Sequence, residues 1–297
     1  MSNKLRKMTL EKKHNLTGWA FLAPATFLIA VFSFWPMIKA LVLSFQTGKG
    51  RNMQMAGFTN YIRMFQDDVF IQSIKNTFFY FILQVPIMLV VAMVLACILN
   101  KKDLRFKGFF RTMIFVPCTT SLVAYSIIFR SLFANNGLVN YVLVNLGILD
   151  KPYNFLTQPF AAKIVIISAL LWRWTGYNMV FFLSGLQNIE YSVYEAAKID
   201  GASAIQTFFK ITVPLLKPTI LLTAIMSTNG TLQLFDESIN LTDGGPANAS
   251  ISMSHYIYNL CFKYVPNFGY AAAMSFFILL LVAVLAFIQM RVGDKRD

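Results

Sequence analysis

Polar and aromatic residues interrupt two otherwise apolar stretches, near positions 175 and 233. Aromatic rings can stack on the C–H face of a polyol, and amide or carboxylate groups can bond its hydroxyls. Other roles are common, since Trp and Tyr mark membrane interfaces and Asn and Gln join helices. The candidate binding residues are Trp172, Arg173, Tyr177, Asn178, Asn229, Gln233 and Asp236.

Arg173 is the charged residue in the middle of the first of these stretches. Insertion scales put the cost of such a charge at roughly 2.5–3.5 kcal/mol, so it is expected to have a partner. One possibility is a carboxylate, either that of Asp236 or one on another subunit. The other is an anionic ligand, because charge pairing in a dry site confers selectivity. The sequence leaves both open.

The chain lacks the patterns that catalysis or nucleotide binding requires. It has 2 His and 13 Asp and Glu, with no HExxH pattern, no metal-spaced cluster and no GxxxxGK[ST] loop. Cys97, Cys118 and Cys261 are widely spaced and odd in number, which favours apolar packing over disulfides. We therefore expect no catalytic residue, no metal and no cofactor in this chain, and an energy source on a partner.

The elements that carry these residues are apolar stretches long enough to cross a bilayer. Of the 297 residues 57% are hydrophobic and 13% are charged, whereas soluble domains have about 25% charged residues. A spanning helix needs about 20 apolar residues. We predict an all-α polytopic membrane protein, a single domain over 1–297, with six spans at about 17–44, 74–99, 113–133, 162–186, 214–235 and 270–291.

The distribution of basic residues predicts the orientation. The net charge of +13 could indicate nucleic-acid binding, but the Lys and Arg residues are concentrated in alternate connecting segments and in the two termini. By the positive-inside rule these segments face the cytoplasm. An even number of spans also puts both termini on one side. We predict a multi-pass protein of the cell membrane with cytoplasmic termini, surrounded by lipid and not bound to nucleic acid.

The segment 190–214, between the fourth and fifth stretches, is predicted to form a hairpin of two short helices. Capping boxes of the S-x-x-E/Q type begin at Ser192 and at Ser203. Gly201 can end the first helix in a left-handed conformation, and Pro214 is expected to end the second. The apolar face of the second helix would carry Ile205, Phe208, Phe209 and Thr212. Such an element can insert into a groove of a partner protein. An interfacial helix on lipid headgroups would usually be more basic.

The same segment resembles the EAA loop of ATP-binding-cassette (ABC) importer permeases. Val213 stands where that family has Leu. The stretches 241–246 (LTDGGP) and 269–273 (GYAAA) are similar to the carbohydrate branch of the family, and the resemblance covers roughly 17–291. The residues that match the loop, and that the resemblance assigns to coupling with an ATPase, are Glu195, Ala196, Ala197, Asp200, Gly201, Ile211 and Pro214.

The resemblance implies a type I importer permease whose hairpin is a coupling helix. The implied partners are a second, homologous permease in a heterodimer, two ATPase subunits that bind ATP and Mg, and an extracytoplasmic solute-binding protein. It also implies a carbohydrate substrate, contacted by the candidate residues near 175 and 233. An acidic saccharide or glycerol phosphate is the alternative within this class. A secondary transporter or channel is the rival class, and it would be expected to show an internal repeat.

Overall fold

The computed structural model describes residues 10–49, 52–101 and 103–293, which form a bundle of α-helices with one small β-hairpin. The terminal basic residues in 1–9 and 294–297, on which the predicted orientation partly depends, lie outside the described residues, as do 50–51 and 102. Four helices are long and apolar enough to cross a membrane, and up to six if each of two bent pairs is one span. The predicted all-α class is confirmed.

The first helix contacts little of the rest of the chain. Helices α1 (Leu10–Ile29) and α2 (Trp35–Ser44) are joined by a π-helical turn at Ala30–Phe34. No residue in their most apolar window is buried within this chain. Strands β1 (Gln46–Lys49) and β2 (Asn52–Met55) pair antiparallel after α2. The exposed apolar surface of α1 is therefore available to lipid or to another protein.

Two long helices form the centre of the bundle. After the short α3 (Thr59–Met64), helix α4 (Asp68–Asn100) packs along α8 (Pro159–Gln187). The Asp67 carboxylate begins α4, because it accepts hydrogen bonds from the N–H groups of Val69 at 3.0 Å and of the next residue at 3.1 Å. An N-cap Asp of this kind satisfies donors that have no partner within the helix.

The third apolar stretch is not one straight helix. Helices α5 (Lys107–Thr119) and α6 (Leu122–Leu132) meet at an angle of 99°. Thr120 and Ser121 have extended backbones between them, and Pro117 lies in the last turn of α5. Apolar composition continues across this break, which is why the prediction of one uninterrupted stretch at 113–133 missed it.

The 190–214 hairpin consists of α9 (Tyr191–Ile199) and a second arm. That arm begins with α10 (Ala204–Thr207), continues through a π-helical turn and ends with α11 (Val213–Leu215). Helix α12 (Lys217–Leu232) then leaves at 71°. The prediction that Pro214 ends the second helix is wrong. The helical conformation continues one residue past this proline, to Leu215, and the chain turns at Leu216 instead.

The remaining segments lie at the end of the bundle opposite the hairpin. Helix α7 (Leu138–Asn145) follows the third stretch, and α13 (Asp236–Thr242) and α14 (Met253–Tyr258) follow α12. Helix α7 packs on α6, α13 on α6 and α8, and α14 on α4. The Tyr80 hydroxyl of α4 donates to the carbonyl of Ser250 at 2.9 Å. These contacts fix the segment between α12 and the last helix, α15, over the N-terminal half of α4. The last helix has the bounds Phe268–Gly293.

Apolar packing joins these helices in three clusters. Near the hairpin, Met179 and Phe182 of α8 pack with α4 and with Leu216. In the middle, Tyr80 and Ile166 belong to a cluster shared by α4, α6, α8 and α13. The third cluster joins α3, α4, α14 and α15. The polar residues of α8 and α12 lie between the first two clusters.

Candidate functional site

A cavity of about 360 Å³ lies between α4, α8 and α12 and beneath α13. It brings together five of the seven candidate binding residues, namely Arg173, Tyr177, Asn178, Gln233 and Asp236. Trp172 and Asn229 are exposed and do not line it. The structure therefore brings together most of the predicted binding residues, which come from two separate stretches of the sequence.

Helical spacing explains which side chains face this cavity. On α8 the lining residues Arg173, Trp174 and Tyr177 lie within one turn of each other, and Asn178 continues the same face. Trp172 points away from it, toward Tyr125, whose ring lies 6.2 Å from the Trp172 ring in a stacked arrangement. Trp172 therefore packs against Tyr125, on the side of α8 away from the cavity.

Several polar groups of the lining already join helices to one another. The Ser227 hydroxyl of α12 donates to the Asn178 amide oxygen at 3.3 Å, and the Asn178 amide nitrogen donates to the Trp174 carbonyl at 3.1 Å. The Thr231 hydroxyl donates to the Gln84 amide oxygen at 2.8 Å, which connects α12 to α4. Asn178 therefore has the helix-joining role that the sequence left open.

Gln84 and Met88 of α4 were not among the predicted residues, although both line the cavity. The signal was present, because Gln84 is an amide inside a long apolar stretch, where polar groups tend to face a cavity or another helix. Glu237 was also missed as a binding residue. It is buried in the lining and accepts a hydrogen bond from the Tyr125 hydroxyl.

Three lining residues have polar atoms that remain available for a ligand. Within the described part of the chain, the Tyr177 hydroxyl and the Asp236 carboxylate make no hydrogen bond. Gln233 donates through its amide nitrogen to Asn229, which leaves the amide oxygen of Gln233 free to accept. These donors and acceptors lie beside aromatic rings, which is the combination that binds a polyhydroxylated molecule.

Arg173 does not pair with Asp236, so the expectation of that ion pair is wrong. No carboxylate oxygen in the described residues lies within 4.0 Å of its guanidinium. The Arg173 Nη1 donates to the Thr120 carbonyl at 2.8 Å, at the break between α5 and α6. Its guanidinium also lies 4.9 Å from the Tyr125 ring and 5.3 Å from the Trp174 ring. A carbonyl at the end of a helix lacks a helical donor, so the arginine satisfies it.

A capping box begins the second arm of the 190–214 hairpin, as predicted. The Gln206 N–H donates to the Ser203 hydroxyl at 3.3 Å, and the Ser203 N–H donates to the Gln206 side chain at 2.8 Å. The capping box predicted at Ser192 is absent. Helix α9 starts two residues earlier, with Glu190 at its N-cap, and the Ser192 hydroxyl contacts the Glu190 carboxylate.

Gly201 ends α9 in the left-handed conformation that the sequence predicted, with φ at +76°. The Ala202 N–H donates to the Ala197 carbonyl at 2.9 Å, and the Gly201 N–H donates to the Lys198 carbonyl at 3.2 Å. This pair of bonds is a Schellman motif. A Cβ at Gly201 would meet no atom within 4 Å, so the glycine is needed for its backbone conformation and not for space.

The hairpin exposes apolar side chains that none of the described residues covers. Ile199, Ile205 and Phe209 are 85%, 71% and 65% exposed. The predicted shared face is split, because Thr212 is buried and Phe208 packs partly into the cluster below. Among the residues that match the EAA loop, Ala197 is buried and Ile211 half-buried, and the exposed ones are Glu195, Ala196, Asp200, Gly201 and Pro214.

Outside the spans, the half-buried Asp67 and the buried His255 lie in the segments opposite the hairpin. The Asp67 carboxylate accepts from the hydroxyls of Tyr256 at 2.7 Å and Tyr270 at 2.8 Å. Burial alone raises the pKa of Asp67, but these bonds and two backbone N–H groups outweigh it, so the pKa lies below its ordinary value. Burial lowers the pKa of His255 to about 4, although Asp243 acts in the opposite direction.

A bundle of apolar helices around a polar cavity, with an exposed apolar hairpin at one end, is an architecture that suits a membrane transport protein. The chain belongs to the family of binding-protein-dependent transport system inner membrane components, whose sequence profile matches residues 67–296. It is therefore an inner membrane permease component and a transporter protein.

Similar proteins cover nearly the whole chain. The lactose transport system permease protein LacF of Rhizobium radiobacter is 51% identical, over 98% of both chains. The multiple sugar-binding transport system permease protein MsmF of Streptococcus mutans is 34% identical, over 97% of this chain and 99% of that one. A chain in the crystal structure of a bacterial alginate ABC transporter, in complex with an alginate pentasaccharide-bound periplasmic protein, is 25% identical with a TM-score of 0.83 over 96% of both chains.

Proposed function

We propose that this chain is the permease subunit of an ATP-driven importer for a neutral saccharide, with lactose or a related galactoside as the first candidate. The permease of the lactose system is 51% identical over 98% of this chain, which supports a substrate of the same class. Family membership favours a binding-protein-dependent importer over the secondary transporter or channel considered from the sequence.

The composition of the cavity lining is the observation that carries the choice of a neutral sugar. The lining has two carboxylates, Asp236 and Glu237, and one guanidinium, that of Arg173. The guanidinium already bonds the Thr120 carbonyl and lies against two rings. An acidic saccharide or glycerol phosphate would therefore meet the Asp236 carboxylate, which makes no hydrogen bond in the described residues, beside a guanidinium that already has a partner. Sugar hydroxyls, in contrast, can donate to the free Asp236 carboxylate.

Uptake of radiolabelled lactose tests this proposal in cells that make the complete transporter and have no other lactose uptake system. Unlabelled lactose should compete with the label, whereas an oligouronate or glycerol 3-phosphate should not. Asp236→Asn should raise the concentration for half-maximal uptake by roughly tenfold or more, because a hydrogen bond to a charged group contributes about 1.5–3 kcal/mol. Asp150→Asn is the matched control, since Asp150 is exposed and lies outside the lining. Stronger competition by the acidic compounds would assign the site to an anionic substrate.

The 190–214 hairpin is proposed to be the part that couples this permease to an ATPase. It is a short, rigid lever between α8 and α12, and its exposed apolar side chains suit a groove in a partner protein. ATP and Mg would bind to that partner and not to this chain. The hairpin and both termini would lie in the cytoplasm. The exposed apolar surface of α1 and the half-pathway formed by one chain favour a second permease as a further partner.

Copurification of the ATPase tests the coupling role. Ile205→Asp places a charge on an exposed apolar residue of the hairpin, and it should reduce both recovery of the ATPase and uptake by about tenfold or more. Ile148→Asp is the control, because Ile148 is 63% exposed but lies opposite the hairpin. Glu195→Lys and Gly201→Val extend the test to the residues that match the EAA loop. Wild-type recovery and uptake in all the hairpin variants would exclude this surface.

A further inference from the structure

Gly230 lies in the middle of the cavity-facing side of α12. Ser227 is three residues before it and Thr231 follows it, and all three line the cavity. A Cβ built on Gly230 would meet no atom within 4 Å, and the position is exposed within this chain. The free space in front of Gly230 is therefore part of the cavity itself.

Two glycines in other long helices, Gly176 and Gly269, have a packing reason that Gly230 lacks. A Cβ on Gly176 would lie 1.9 Å from the Ile114 carbonyl oxygen, and one on Gly269 would lie 2.1 Å from the Gln46 carbonyl oxygen. Small residues in membrane helices usually serve such close approaches. Glycine in a helix interior is otherwise less favourable than alanine. At Gly230 no close helix contact among the described residues offsets the lower helix stability that glycine causes.

The neighbours of Gly230 are held in place, so the space beside it has a fixed width. Ser227 is bonded to Asn178 of α8, and Thr231 is bonded to Gln84 of α4. The rings of Trp174 and Tyr177 lie on α8 in the same lining. A ligand ring that stacks on these aromatics can approach the α12 backbone where the side chain is missing.

We propose that Gly230 is a specificity-determining position, and that its missing side chain sets the size of the saccharide that the cavity admits. The inference rests on the proposed function, because it assumes that the cavity holds the sugar during transport. Side chains of increasing size at this position should exclude first the larger sugars and then the smaller ones. They should leave the fold intact, because the added atoms enter open space.

The test uses the complete transporter with Gly230→Ala, Gly230→Leu and Gly230→Phe. Uptake of galactose, lactose and raffinose is measured for each variant and divided by wild-type uptake of the same sugar. The ratio should fall as the sugar and the side chain become larger, and it should reach about a tenfold loss or more for Gly230→Phe with the largest sugar that the wild type imports. Stimulation of ATP hydrolysis by the sugar-loaded binding protein should stay within about twofold of wild type, because the loss arises in the cavity and not in assembly.

Leu222→Phe is the matched control, because Leu222 lies on the same helix, is 50% exposed and does not line the cavity. It should leave all uptake ratios near one.

Uptake by Gly230→Phe equal to wild type for every imported sugar overturns the inference while the proposed function stands. The inference is also overturned if Gly230→Phe loses uptake, ATP hydrolysis and recovery of the partner subunits to the same degree. That result would assign Gly230 to an interface between subunits. If the Phe variant is not assembled, the ratios of the Leu variant decide by the same criteria. A wild type that imports none of the sugars overturns the proposed function and this inference with it.

Discussion

At the scale of single residues, the same substitution should have opposite consequences at two glycines. Gly176→Ala would place its Cβ 1.9 Å from the Ile114 carbonyl oxygen, so α8 and α5 must move apart. Overpacking of this kind costs about 1–3 kcal/mol. We expect a lower thermal unfolding temperature and a lower yield of the purified protein. Gly230→Ala, which enters open space, should be at least as stable as wild type. Equal stability of the two variants would contradict the close contact of α5 with α8.

His255, in the segment between α12 and α15, should make the stability depend on pH. Its pKa falls from the ordinary 6.5 to about 4 on folding, because the buried ring resists protonation. Between these values the unfolded chain binds a proton that the folded chain does not, so stability is lost as the pH falls below 6.5. The expected loss at pH 5 relative to pH 7 is about 2 kcal/mol.

The pH effect can be measured as the thermal unfolding temperature of the purified protein in detergent at pH 7 and at pH 5. His255→Gln should reduce the difference between the two pH values. His14→Gln is the control and should keep it, because His14 is exposed. The lowered pKa of Asp67 affects stability only at pH values below its ordinary pKa of 3.8, so Asp67 does not contribute to the difference between pH 7 and pH 5. A difference that persists in His255→Gln would assign the effect to another group.

At the scale of elements, the two serines of the 190–214 hairpin should differ in their effect on helix ends. The Ser203 hydroxyl accepts the Gln206 N–H and begins the second arm. Ser203→Ala should therefore destabilise that end by about 1 kcal/mol. Faster hydrogen exchange of the backbone amides in 203–207 would show it. Ser192→Ala is the control, because this hydroxyl contacts only the exposed Glu190 carboxylate and caps no helix. Equal changes in both variants would contradict the observed cap.

The bent third stretch shows how one element depends on another. The break at Thr120 is bonded by Arg173, which lies 53 positions later in the sequence. The bend also places Tyr125, whose hydroxyl bonds Glu237 and whose ring lies beside the guanidinium. The mid-span arginine thus supports the bend through the Thr120 carbonyl, and within the described residues no carboxylate lies within 4.0 Å of it.

At the scale of the whole molecule, the orientation in the membrane can be tested by cysteine labelling. Cys97, Cys118 and Cys261 are first replaced, and single cysteines are then introduced at Lys198 in the hairpin or at Asp150 opposite it. Both positions are exposed in the structure. A membrane-impermeant maleimide should label Asp150→Cys in intact cells and Lys198→Cys only after permeabilisation. The reverse result would place the hairpin outside and would exclude coupling to a cytoplasmic ATPase.

The sequence by itself determined the properties that depend on composition and on near neighbours in the chain. A hydrophobic fraction of 57% in long stretches specified a membrane protein of helices. The turn at Gly201 and the cap at Ser203 followed from interactions between residues a few positions apart. Short-range interactions of this kind have the same physics in any fold, so they can be predicted from the sequence.

Only the tertiary structure decided which polar residues face the cavity and which join helices. Asn178 and Asn229 have the same side chain, yet one connects α8 to α12 inside the bundle and the other is exposed outside the lining. Gln84 came into the site from a third helix, and Arg173 bonds a carbonyl where a carboxylate was expected. The face that a helix turns inward depends on contacts with helices far away in sequence, and no local pattern contains that information.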